Sequence, residues 1–137
     1  MVSLFIDTWG WLTLSSKREM RHQEVSTFYR SFSGSVYTTD YVLDETFTLM
    51  FRRYPRSAPV AMRRLLETID TGRVNLERID AGRFAATCRL RERYVDKPRI
   101  SFTDLTSMVV MTELRITNIL TEDAHFTHVG LGLQIVP

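Results

Sequence analysis

The chain has 137 residues, enough to bury one sizeable hydrophobic core, and its 44% apolar and 25% charged content excludes a disordered or low-complexity protein. Its net charge of +2 is too small to mark a nucleic-acid binder by itself. A single cysteine, Cys88, excludes an intrachain disulfide framework and points to a reducing compartment, and no stretch approaches the roughly 18 apolar residues of a membrane helix.

In chain order, the apolar run from Met1 ends abruptly at Asp7, too short for a signal sequence; its Val2–Ile6 part reads as a strand running into a strand-to-helix junction at Asp7-Thr8-Trp9-Gly10. From Ser16 to Phe32, Met20, Val25, Phe28, Tyr29 and Phe32 recur at helical spacing, and Ser33-Gly34-Ser35 ends that helix. Val36 to Thr38 is a second strand. Leu43, Phe47, Met50, Phe51 and Tyr54 then share one helix face until Pro55 stops it. A helix from Ser57 to Asp70 follows, with Val60, Leu65, Leu66 and Ile69 inside and Arg63 and Arg64 outside. Val74 to Ile79 alternates as a strand, and Ala81 to Tyr94 is helical, with Cys88 expected to pack in its interior. Ser101 to Leu114 is apolar on most of its circumference and reads as a central helix. Thr117 to Leu120 is a strand, Thr121 to Phe126 a loop, and Leu131 to Val136 a last strand. Alternating elements with short apolar strands, and no linker, imply one domain over 1–137 with a parallel sheet between helices.

In such sheets, ligands gather beyond the carboxyl ends of the strands. Asp7 and Asp123 occupy those ends. Asp104 is embedded among Phe102, Leu105, Met108, Val109, Val110 and Met111 with no basic residue within a turn, and burying an unpaired carboxylate costs several kcal/mol by rough estimate. It must be protonated or find a positive partner. Glu45 lies in the early turns of a helix dominated by core residues. Each acid also has a structural explanation: Asp7 as a helix cap, Asp123 in a turn, and Ser101-Phe102-Thr103-Asp104 as a capping box. Three or four converging carboxylates form the oxygen-rich set that Mg²⁺ or Mn²⁺ prefers, and hydrolysis of a nucleic-acid backbone is the chemistry that set serves. Sixteen of the 18 basic residues are Arg, whose planar fork suits phosphate, although a genome favouring Arg codons explains this equally well.

The segments Leu4-Phe5-Ile6-Asp7-Thr8, Thr38-Thr39-Asp40-Tyr41-Val42-Leu43-Asp44-Glu45, Ile100-Ser101-Phe102-Thr103-Asp104 and Leu120-Thr121-Glu122-Asp123-Ala124-His125-Phe126 resemble, in order, the motifs of PIN-domain ribonucleases, particularly the VapC-like toxins of toxin–antitoxin pairs. The resemblance implies a three-layer α/β/α fold with a central, mainly parallel sheet, and endonucleolytic cleavage of RNA. It implies an acidic site of Asp7, Glu45, Asp104 and Asp123, in which Asp7, Asp104 and Asp123 hold Mg²⁺ or Mn²⁺ and Glu45 completes the pocket. Thr8, Thr103 and Thr121 adjoin those acids and are candidates to orient a ligand or water, or simply to cap. Asp40 and Asp44 rank behind Glu45, and Trp9 and Trp11 depart from the smaller residues usual after the first acid. His125 is a candidate substrate contact or a packed histidine; His22 and His128 show no ligand spacing. The implied partners are an RNA substrate, a second copy in a homodimer, and a cognate antitoxin packing in an apolar groove of a cytoplasmic protein. Alternatives are a housekeeping RNA-processing nuclease or a non-catalytic binding module, whose sign would be a missing acid. Arg52, Arg53 and Arg56 are read as a solvated helix face before an RNA contact. A phosphoacceptor receiver domain is disfavoured, because no adjacent acid pair follows the first strand.

Overall fold

A computed structural model describes residues 2–137; Met1, the first residue of the apolar run, lies outside them. The elements in order are β1 (Ser3–Ile6), α1 (Thr8–Ser15), α2 (His22–Ser31), β2 (Ser35–Thr39), α3 (Asp40–Arg53), α4 (Ala58–Asp70) and β3 (Val74–Glu77). They continue with α5 (Ala81–Arg93), α6 (Phe102–Leu114), β4 (Asn118–Leu120), α7 (His125–His128) and β5 (Gln134–Ile135). All strand pairings are parallel, and the sheet order is β3-β2-β1-β4-β5. This is the expected three-layer α/β/α architecture. Leu4, Phe5 and Ile6 are completely buried because β1 lies mid-sheet with helices over both faces, and a strand covered twice must be apolar throughout. Leu105, Met108 and Met111 of α6 join Ile119, Leu120 and Phe126 in the same core.

Chain order turns back at β1: β2 and β3 extend the sheet to one side, β4 and β5 to the other. The crevice at such a reversal opens at the carboxyl ends of β1 and β4. Their register pairs Ile6 with Leu120, so Asp7 and Thr121 leave the sheet side by side.

Several boundaries differ from expectation. The helix expected over 16–32 is shortened to α2 (His22–Ser31): 16–21 is a turn, where Met20 is 99% exposed rather than on an apolar face, and a separate helix, α1, starts directly after Asp7. Asp7 starts α1 by accepting a hydrogen bond from the Gly10 amide, and Trp11 ties it to the sheet by donating from Nε1 to Thr38 Oγ1 at 3.0 Å. Gly10 permits the approach, since a Cβ there would lie 2.7 Å from the Leu120 carbonyl oxygen and 2.8 Å from Ile6. In α4 the inward stripe is Ala58, Met62, Leu65 and Ile69, which leaves Val60 and Leu66 exposed; Phe51 of α3 is exposed too. Cys88 is also exposed, not packed, because Thr87 carries the buried position of α5. The strand expected to reach Ile79 stops at Glu77. Gly130 and Gly132, both at positive φ, turn the chain around Leu131 and shorten the last strand, while α7 begins within the expected loop. No helix among the described residues is long and apolar enough to cross a membrane.

Candidate active site

The end of β1 delivers Asp7, 6% exposed, to the floor of a cleft of about 300 Å³. Its carboxylate is doubly held. Oδ1 accepts the Gly10 amide at 3.1 Å, and Oδ2 accepts the Thr121 hydroxyl at 2.5 Å. Thr121, at the end of β4, also accepts the Asp123 amide at 3.1 Å, so one hydroxyl fixes both strand-end acids relative to each other. From the far wall, Thr8 of α1 donates to Glu45 of α3 at 2.5 Å, which joins the two helices across the cleft. Asp104 stands in the first turn of α6, where Ser101 caps the helix by accepting the Asp104 amide at 3.0 Å. A helix N-terminus favours negative charge at that place. Asp123 Oδ1 accepts the His125 amide at 2.9 Å, and His125 Nδ1 lies 3.0 Å from the same oxygen, without the alignment of a hydrogen bond.

Asp7, Glu45, Asp104 and Asp123 therefore line one cleft, together with Trp9, Leu12, Leu49, Arg53, Ser101 and Glu122. Burial pushes the Asp7 carboxyl up to about 7, against its two hydrogen bonds and with the help of Asp104 and Asp123. Burial likewise pushes Asp104 up to about 6, reinforced by the charges of Asp123 and Glu45. Among the described residues no Lys or Arg forms an ion pair with any of the four acids, and Arg53 is engaged by Glu19 at 3.5 Å. The four acids are a concentration of like charge that Arg53, the basic residue in the cleft wall, does not neutralise by an ion pair. Ligand atoms of Asp104, Asp123 and His125 lie within 4.8 Å of one another, close enough to share one ion, and the donor set is mainly carboxylate oxygen. Divalent Mg²⁺ or Mn²⁺ fits that set.

Other expected residues are placed elsewhere. Thr103 does not line the cleft; its carbonyl accepts from Thr106 and Ser107, and its hydroxyl has no hydrogen-bond partner among the described residues. Asp40 accepts the Ile79 amide at 2.9 Å and fastens the loop after β3, while Asp44 is exposed and outside the cleft. His22 bridges Thr13 and Ser26. The cleft residues that sequence reasoning missed, Leu12, Leu49, Ser101 and Glu122 as neighbours of the acids, carry no local signal except Ser101, whose cap position was visible.

The model of the PIN-domain family matches residues 4–131. The 23S rRNA-specific endonuclease VapC20 of Mycobacterium tuberculosis, from two strains, is 31% identical over 128 residues, covering 93% of this chain and 94% of the relative. The crystal structure of VapC20, described as a sarcin–ricin-loop-cleaving toxin, matches with a TM-score of 0.81 at 30% identity over 93% of this chain and 95% of that one. VapBC2 of Rickettsia felis, bound to a promoter DNA fragment, gives 0.70 at 12% identity over 98% of each chain. DNA-bound VapBC of Salmonella typhimurium gives 0.63 at 14% identity over 99% and 98%. These last two show likeness of fold alone.

Proposed function

Because this chain belongs to the PIN-domain family, we propose that it is a metal-dependent endoribonuclease acting as the toxin of a toxin–antitoxin pair. The observation that carries the reading is the convergence of four carboxylates on one cleft, none of them ion-paired to a Lys or Arg among the described residues. Asp104 and Asp123, whose ligand atoms lie close enough to share an ion, and Asp7 in the same cleft are the residues that would hold Mg²⁺ or Mn²⁺, which when bound offsets charge on a phosphodiester and lowers the pKa of water. Thr121 holds the Asp7 carboxylate and the Asp123 backbone amide, fixing the spacing of these two residues. Glu45, held by Thr8, completes the negative pocket on the α3 side and orients the attacking water by accepting its proton in a hydrogen bond. The apolar side chains of Trp9, Leu12 and Leu49 in the cleft wall lower the local polarity beside the acids.

The substrate class is RNA, and the target of the relative makes 23S rRNA the first substrate to test. A cognate antitoxin is the proposed partner, in keeping with the VapBC complexes that share this fold. A homodimer and a cytoplasmic site of action belong to the same reading.

Purified protein should cleave RNA in Mg²⁺ and stop when a chelator is added, and Asp104→Asn should lose cleavage while its circular dichroism stays that of the folded protein. Full activity of Asp104→Asn would refute the site. Expression should arrest growth, with relief by the product of an adjacent small gene; growth without arrest favours the housekeeping alternative.

A further inference from the structure

A second hollow adjoins the acidic cleft and carries the opposite charge. It measures about 550 Å³, lies between the segment after α1 and the turn joining α3 to α4, and is lined by Lys17, Arg18, Arg53, Tyr54, Arg56 and Ser57 among others. Arg53 lines both cavities, so the two share a wall. Only Arg53 is neutralised from within: Glu19 pairs with it at 3.5 Å and accepts the Tyr54 hydroxyl. Lys17, Arg18 and Arg56 form no ion pair with any described residue. Ser57, at the N-cap of α4, makes no side-chain cap bond, so the partial positive charge of that helix end adds to the same surface. Folding brings three unpaired cations together at a cost in mutual repulsion that an anion would relieve.

We infer that this hollow is a phosphate-binding subsite for the RNA strand leaving the acidic cleft, with Lys17, Arg18 and Arg56 gripping backbone phosphates beyond the bond that is cut. The inference rests on the nuclease reading given above. An acidic peptide would also satisfy the charge, but a ligand that must place one anionic group among the carboxylates and others among the arginines next to them is a continuous polyanion. The acidic cleft repels such a chain, and the basic hollow supplies the attraction that holds it there. Charge near the cut and grip away from it are thus divided between two neighbouring cavities.

The test compares Arg18→Ala/Arg56→Ala with Arg30→Ala/Arg63→Ala, which removes the same two charges from exposed positions outside the hollow. Binding of a fluorescein-labelled RNA hairpin is followed by anisotropy in chelator over a range of salt, and cleavage of the same hairpin is followed in Mg²⁺. Loss of two phosphate contacts should flatten the slope of log affinity against log salt by about 1.4, at about 0.7 per single-strand phosphate. KM should rise about tenfold while kcat stays within about twofold, since contacts remote from the reacting bond contribute uniform binding. Arg18→Lys/Arg56→Lys should restore most of the slope. A salt slope and KM equal to those of the Arg30/Arg63 variant would overturn the subsite and leave the nuclease reading intact. Wild-type protein that binds no RNA and cleaves none in Mg²⁺ would overturn both.

Discussion

Replacing Asp7 by Asn should stabilise the metal-free protein, and the size of the effect follows from the carboxyl's surroundings. Moving its titration from the ordinary value of 3.8 to about 7 corresponds to about 4 kcal/mol of folding stability. The sign is fixed by where the proton is. Below 3.8 the folded and unfolded chains are both protonated and the group contributes nothing. Between 3.8 and about 7 the unfolded chain has released the proton while the folded chain keeps it, so stability falls as pH rises. Above 7 the full penalty applies. Asn carries no charge and its oxygen still accepts the Gly10 amide, but the second oxygen that receives the Thr121 hydroxyl is lost, which gives back about 1–2 kcal/mol. The net gain at pH 8 is then about 2–3 kcal/mol, or a rise in Tm of roughly 6–10 °C for a domain of this size. Calorimetric scans in chelator at pH 4, 6 and 8 should show a variant no more stable than wild type at pH 4 and increasingly more stable toward pH 8. Added Mg²⁺ should narrow the gap by stabilising the wild type more than the variant, which keeps Asp104 and Asp123 but loses the Asp7 charge, since an ion that binds only the folded site adds to its stability. A pH-independent difference, or an Asn variant less stable at pH 8, would refute the reasoning.

Thr121→Val removes the hydroxyl shared by Asp7 and Asp123 and should cost about 1–3 kcal/mol in urea denaturation, with cleavage slowed more than RNA binding is weakened. Gly10→Ala places a methyl group against the Leu120 carbonyl and Ile6, so its urea midpoint should fall by the equivalent of about 1–3 kcal/mol. An unchanged midpoint would show that α1 can move away from the sheet at no cost.

The acids were legible where a local pattern made them anomalous. Asp7 ends a run that is apolar at successive positions, and a strand of that kind can only lie mid-sheet, so its first polar residue falls at the crevice. Asp104 stood out as a charge among core residues, and its cap by Ser101 was readable from the same four residues. Pro55 marked the end of α3 within two residues. What depends on packing between distant elements was not legible. Helix α1 has nearly every residue buried or partly buried, so it lacks the polar face that periodicity detects, and Gly10 and two tryptophans gave it weak local preference. The Thr8–Glu45 bond joins residues 37 apart, and nothing in either segment announces the other. Thr103 was singled out for adjacency in sequence, but the neighbours that matter in a helix lie three and four positions away. Arg53 and Arg56 read as a solvated helix face because nothing in the end of α3 or the turn after it shows the Lys17 and Arg18 turn that lines the same hollow.

The hydroxyl of Thr121 reaches Asp7 across 114 residues of chain. During synthesis from the N-terminus, Asp7 and Glu45 are therefore made long before the strand that aligns them, and Asp104 shortly before it. Until β4 has docked beside β1, a ribosome carrying this chain holds scattered acids and no assembled cleft. Products broken off before residue 121 lack both Asp123 and the residue that sets its distance from Asp7. Ordering the cleft across the first and fourth strands makes its assembly wait for the docking of a segment that lies in the last fifth of the chain.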